Sequence, residues 1–123
     1  MKRLGVNIDH IATIRNTRGE NHPNVISAAK FAMKSGANSI TIHLREDRRH
    51  IKDTDLKFLS KIRSIPINLE IAANYKMLKI ALKHKPKFVC IVPEKRKELT
   101  TEGGLNLKKN KNRLKKIVNI LNK

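Results

Sequence analysis

At 123 residues the chain is about one domain long, and 39% hydrophobic residues give it the material for a core, which excludes an intrinsically disordered polypeptide. Lys and Arg number 28 against 10 Asp and Glu, a formal charge of +18, so nucleic acid, an anionic membrane surface and anionic small molecules are all candidate partners. One Tyr, three Phe and no Trp leave little for base stacking and weigh against single-strand binding, and the joint abundance of Lys, Ile and Asn is what AT-rich coding produces on a surface.

Residues 4–8 read as a short strand with Leu4, Val6 and Ile8 on one face and Gly5, Asn7 and Asp9 on the other. Asn7 and Asp9 thus project together from its end. The next stretch, with His10, Arg15, Arg18, Gly19 and Glu20, reads as a loop, and Pro23 and Asn24 mark a helix start. Val25, Ala28, Ala29 and Ala32 recur at helical spacing, Ile26 and Met33 widen the stripe, and Gly36 is placed to end it.

The segment ITIHLREDRRHI, residues 40–51, opens as an alternating strand over 39–44 and closes as a run of charge. Ile40, Ile42 and Leu44 point one way; Thr41, His43 and Arg45 point the other, and such a polar face is expected in water. A histidine and an arginine at i and i+2, followed by His50, suit a phosphorylated or carboxylated small molecule. Asp53 or Thr54 can then cap a helix whose buried stripe is Leu56, Phe58, Leu59 and Ile62.

After Pro66, residues 67–71 form a third strand with Asn68 and Glu70 on one face, and Asn74 can cap a helix carrying Met77, Leu78, Ala81 and Leu82 that stops near Pro86. Residues 88–92 are the most uniformly apolar run, as expected of a strand buried on both faces, and Cys90 within it reads as a small buried hydrophobe. The following PEKRKELTTEGGL supplies Glu94, Thr100 and two glycines, and Asn106 is placed to start a last helix with Leu114, Ile117, Val118 and Leu121 on one face. A single cysteine allows no internal disulfide, no CxxC or HExxH spacing predicts a metal site, and the amino terminus lacks the apolar stretch of a signal peptide. The expectation is a cytoplasmic protein with no membrane association.

Strand then helix, four times over, specifies a parallel sheet wrapped by helices, either an open doubly wound sheet or part of a (β/α)8 barrel. No GxGxxG turn follows the first strand, which counts against a dinucleotide fold. Polar residues collect after each strand instead, as in barrel enzymes: Asn7, Asp9 and His10; His43, Arg45 and His50; Glu70; Thr100.

The segments GVNIDHIATIRN, TIHLREDRRHI, NLEIA and VPEKRKELTTEGGL, in this order and at these intervals, closely resemble the pyridoxine 5'-phosphate synthase family. The resemblance implies a (β/α)8 barrel that joins 1-deoxy-D-xylulose 5-phosphate to 3-amino-2-oxopropyl phosphate, in cytoplasmic homo-oligomers, without metal or organic cofactor. It implies His43 and Glu70 as proton acceptors, Asn7 and Arg18 as contacts to the amino-ketone phosphate, and Asp9, His10, Arg45, His50 and Thr100 as contacts to the deoxyxylulose phosphate. Arg48, Arg49, Lys95, Arg96 and Lys97 read equally as solvated charge, and His22 and His84 as surface residues.

Four βα units stand where such a barrel needs eight, and residues 1–123 correspond to its amino-terminal half, with the second half absent. In the family that half carries a further catalytic histidine, a proton donor, and glycine-rich phosphate turns. The expectation is a half barrel with two open sheet edges that pairs with a copy of itself, pairs with a complementary carboxyl-terminal half, or is the product of a truncated or frameshifted gene, and that has little or no activity alone. The alternative is a small basic nucleic-acid-binding protein derived from a half barrel, supported by the charge and by a tail with no acidic residue after Glu102.

Overall fold

Period-two and period-3.6 apolar patterns alternate along the chain, and each becomes one layer of a parallel α/β unit. A computed structural model describes residues 2–94 and 104–122. The elements in order are β1 (Gly5–Asn7), α1 (Asp9–Arg18), α2 (Val25–Lys34), β2 (Ser39–His43), α3 (Asp53–Leu59), β3 (Ile67–Ala72), α4 (Tyr75–His84), β4 (Phe88–Val92) and α5 (Lys111–Leu121). All pairings are parallel and the sheet order is β1-β2-β3-β4, the order of the sequence. These are the four βα units the sequence specifies.

The apolar faces of β2 and β3 form the floor of the core. Ile40, Ile42, Leu44, Leu69 and Ile71 are completely buried against Ala29 of α2, Leu56 and Leu59 of α3 and Met77 of α4. Asn24 caps α2 by accepting the Ser27 N–H at 2.9 Å, and Asn74 caps α4 by accepting the Met77 N–H at 2.9 Å, both as expected from sequence. Gly36 follows the end of α2 with φ +102°, a left-handed turn that only glycine adopts without strain.

Several expectations are corrected. The loop after the first strand is helix α1. Ile8, Ile11 and Ala12 follow the i, i+3, i+4 pattern, but the i+7 place is taken by Arg15, which hides the stripe. Arg15 is buried because its guanidinium binds both Asp55 oxygens, at 2.6 and 2.9 Å, and so ties α1 to α3. Asp55 also accepts the Lys52 N–H at 2.8 Å, and it, not Asp53, closes the start of α3. Phe58 lies on the exposed side of α3 and Leu82 on the exposed side of α4, off the inward stripes.

β4 is not buried on both faces. Phe88 and Cys90 are exposed and Val89, Ile91 and Val92 half-buried, because β4 is an edge strand among the described residues and helices cover only its other side. The last helix begins at Lys111, and Asn106 accepts the Lys109 N–H at 2.9 Å in the turn that precedes it. Finally, the polar face of β2 does not stand in water: His43 and Arg45 are buried, because groups from β1, α1 and the end of β4 fold over the strand's carboxyl end.

Candidate functional site

Strand register places the first two members of the site. His43 is the last residue of β2 and pairs with Glu70 on β3, which pairs with Cys90 on β4, so alternation turns all three to the face away from the helices. Below them Asn7, Thr41 and Asn68 form the preceding row, with the Asn68 amide donating to the Thr41 hydroxyl at 3.2 Å.

His43 is held by its backbone. Its N–H donates to Asp9 Oδ1 at 2.8 Å, while Asp9 Oδ2 accepts from Asn7 Nδ2 at 2.9 Å and Asn7 Oδ1 accepts the Asp9 N–H at 2.8 Å. Asp9 is therefore a clamp between β1, α1 and β2, and it works because it is the first residue of α1, where a carboxylate also meets the positive end of the helix.

The imidazole lies between two carboxylates. Nδ1 is 4.0 Å from Glu70 Oε2, and Nε2 is 3.4 Å from Glu94 Oε2. Burial lowers the His43 pKa to about 4, with Arg45 and His50 adding to the effect and Asp9 and Asp47 opposing it. Burial, with the charge of Asp9, pushes the Glu70 carboxyl up, and burial does the same to Glu94 against the Glu46 N–H and Arg45. Such an imidazole is unprotonated at neutral pH, and its free nitrogen lone pair can accept a proton from a neighbouring group.

The loop after β2 carries the cations. Arg45 is 2% exposed, its Nε 3.6 Å from Asp47 Oδ1 and 3.9 Å from Glu94 Oε1. Arg48, in a left-handed conformation at φ 56°, donates to both oxygens of Asp53 at 2.7 and 3.1 Å and to the Arg45 carbonyl. Arg49 pairs with Asp47 at 2.8 Å. His50 Nδ1 is 2.7 Å from the Thr13 hydroxyl, and the His10 ring meets its ring edge-on at 5.9 Å. Burial lowers the His50 pKa as well. Asn16 fixes the loop to α1 by donating to the carbonyls of Arg49 and His50 at 3.0 and 2.8 Å.

Of the residues singled out from sequence, Asn7, Asp9, His10, His43, Arg45, His50 and Glu70 thus gather at the carboxyl ends of β1, β2 and β3. Arg18 does not join them: it lies about 14 Å along the α1 axis from Asp9 by helical rise and forms an exposed pair with Glu20 at 3.2 Å. Thr100 lies outside the described residues. His22 is exposed, while His84 is half-buried with Nδ1 3.2 Å from the Ser60 hydroxyl.

Glu94 is named in the sequence as part of the loop after the fourth strand, but no site role is read for it there. Its only signal there is positional, two residues beyond the end of β4, the same offset that Arg45 has from β2. Glu94 also borders a cavity of about 490 Å³ walled by Ala72, Asn74, Val92, Asn106 and Arg113, beside the histidine and not over it. On the face that carries His43 and Glu70 the imidazole is buried while the Glu70 side chain is 26% exposed, so that face opens to solvent at Glu70. Among the described residues no three His, Cys, Asp or Glu side chains converge as a metal site, and no helix is long and apolar enough to cross a membrane.

Comparison with known proteins gives a consistent result. Residues 4–123 match the family described as pyridoxal phosphate biosynthesis protein PdxJ. The chain is 62% identical over 123 residues to the pyridoxine 5'-phosphate synthase of Pelagibacter ubique, covering 100% of this chain and 52% of that protein. It is 61% identical over 112 residues to the synthase of Ruegeria pomeroyi, 91% of this chain and 45% of that one. With the synthase of Zymomonas mobilis the identity is 60% over 116 residues, 94% of this chain and 45% of the relative. The chain spans about half the length of the curated relatives it matches.

Proposed function

Because the chain belongs to the PdxJ family of pyridoxal phosphate biosynthesis proteins, we propose that it supplies the proton-accepting half of a pyridoxine 5'-phosphate synthase site. The reaction is the ring-closing condensation of 1-deoxy-D-xylulose 5-phosphate with 3-amino-2-oxopropyl phosphate, giving pyridoxine 5'-phosphate, phosphate and water. Joining an amine to a ketone, eliminating phosphate and closing an aromatic ring takes several proton transfers, which His43 and Glu70 share.

One observation carries this reading: a buried, neutral imidazole is clamped through its backbone by Asp9 and faces Glu70 across one strand pairing. A base must be unprotonated at working pH and fixed in place, and burial and the Asp9 clamp provide these two properties. Arg45, His50 and His10 lie on the same side and suit a sugar phosphate, whose dianion guanidinium and imidazole groups recognise. Thr100, Asn7 and Arg18 are assigned to substrate phosphates by family resemblance alone.

The relatives are about twice this length, and the second half of such a barrel completes the site in a cytoplasmic assembly, so the 123 residues alone turn over little or no substrate. Titration calorimetry with 1-deoxy-D-xylulose 5-phosphate tests the assignment. Saturable binding that weakens at least tenfold in Arg45→Met supports it. Absence of sugar-phosphate binding together with RNA affinity that falls steeply with salt would replace it with a nucleic-acid-binding role.

A further inference from the structure

Resting on the proton-accepting role of His43, we propose that Glu94 is its positioning residue: its carboxylate backs Nε2, holds the proton on that nitrogen, and leaves the Nδ1 lone pair turned to Glu70 and the open face.

The two carboxylates beside the imidazole are not equivalent. The Glu94 side chain is 3% exposed and the Glu70 side chain 26%. Glu70 is on the side a substrate can reach, and Glu94 is behind. Glu94 is also anchored, since Oε1 accepts the Glu46 N–H at 2.7 Å, which leaves Oε2 to face Nε2 at 3.4 Å. Both of these atoms are buried, and among the described residues neither has a hydrogen-bond partner. Buried polar atoms are seldom left so, and a small closure together with a turn of the side chains into line makes this contact an N–H···O bond, as happens when catalytic pairs tighten around substrate.

The sheet makes room for this reach. β2 and β4 are two strand spacings apart, about 9.6 Å, with β3 between them. The next β3 residue on the same face as Glu70 is Ala72, whose methyl leaves the gap open to the longer side chains on either side. A carboxylate behind a histidine selects one tautomer and stabilises the imidazolium formed when the front nitrogen takes a proton. Other groups set the same equilibrium: Asp9 from α1, Arg45, Asp47 and His50 from β2 and its loop, and Glu70 from β3. Among the described carboxylates that face the ring, only Glu94 approaches Nε2.

Long-range ¹H–¹⁵N spectra of the 123-residue chain, with the His43 signals assigned by their loss in His43→Gln, read the tautomer without substrate. The wild-type ring is expected as the Nε2–H form. Near neutral pH Glu94→Gln is expected to lose that preference, and Glu94→Asp to restore it in part. An Nδ1–H ring in the wild type overturns the proposal even where the variants do not fold, and so does a Glu94→Gln spectrum with unchanged tautomer. Failure to bind deoxyxylulose phosphate would sink the synthase reading and leave the tautomer result standing, so the two failures are distinguishable.

Discussion

Replacing Asp9 with asparagine should loosen the site and weaken the fold together. In the wild type each Asp9 oxygen accepts one hydrogen bond, from the His43 N–H at 2.8 Å and from Asn7 Nδ2 at 2.9 Å. Asparagine is nearly the same shape but has one acceptor. If Oδ1 keeps the His43 amide, its NH2 group opposes the Asn7 NH2 group; if the amide flips, the buried His43 N–H loses its partner. Losing one charge-assisted bond and leaving one donor unsatisfied costs about 2 kcal/mol, in a range of roughly 1.5 to 3. With a urea slope of about 2 kcal/mol/M, the midpoint should fall by about 1 M. The variant also removes the charge that raises His43 and Glu70, so both pKa values should drop, the histidine further below about 4. Urea unfolding by circular dichroism and ¹⁵N titration of His43 measure the two effects. A midpoint shift under about 0.2 M, or a histidine midpoint that stays or rises, would refute the clamp.

Acid sensitivity should follow from His43. Its folded pKa of about 4 lies below the unfolded value of about 6.5, so the unfolded chain binds more protons between them and stability falls as pH drops through that window. The loss amounts to about 2 kcal/mol between roughly pH 7 and pH 5, and His43→Gln should remove it from the measured pH profile. Glu70 and Glu94, with raised values, have the opposite sign: the stability they contribute is present at low pH and is lost as pH rises through their folded values, so they oppose the histidine limb. Asp55→Ala should cost about 3 to 5 kcal/mol in urea unfolding, because it strands the buried Arg15 guanidinium, whereas the double variant Arg15→Met with Asp55→Leu should recover most of that loss. Leu69→Ala, at a completely buried site in the middle of the sheet, should cost about 2 to 5 kcal/mol by the same assay. Cys90, exposed on the edge strand, should react with a thiol-alkylating reagent in the folded 123-residue chain and be protected once a second half barrel covers that face.

What sequence made legible were the positions governed by local periodicity. The alternation in ITIHL and INLEIA assigns both faces of β2 and β3 without tertiary information, and it puts His43 and Glu70 at matching strand ends. Asn24 and Asn74 announce their helices because a cap is a local device. α1 was hidden because burial of Arg15 depends on Asp55, 40 residues away, and a charge at an apolar place reads as a loop until its partner is known. β4 misled for the opposite reason: FVCIV is apolar enough for full burial, but burial is decided by what lies over the strand. Glu94 escaped because its role depends on side chains meeting across an intervening strand, a distance that no sequence interval encodes. Arg18, read into the site by resemblance, lies a helix length away in the described chain.

The order of strands in the sheet is also the order of their synthesis, and this shapes how the chain can fold. Gly5 pairs with Ser39, 34 residues on; Ile40 pairs with Ile67, 27 on; and Asn68 pairs with Phe88, 20 on. Among the described residues no pairing waits for a distant segment, so loop-closure entropy is met in short steps and each βα unit can dock on the one before it as it leaves the ribosome. His43 and Glu70 are brought together by the pairing of β2 with β3, so their meeting does not wait for β4 to dock.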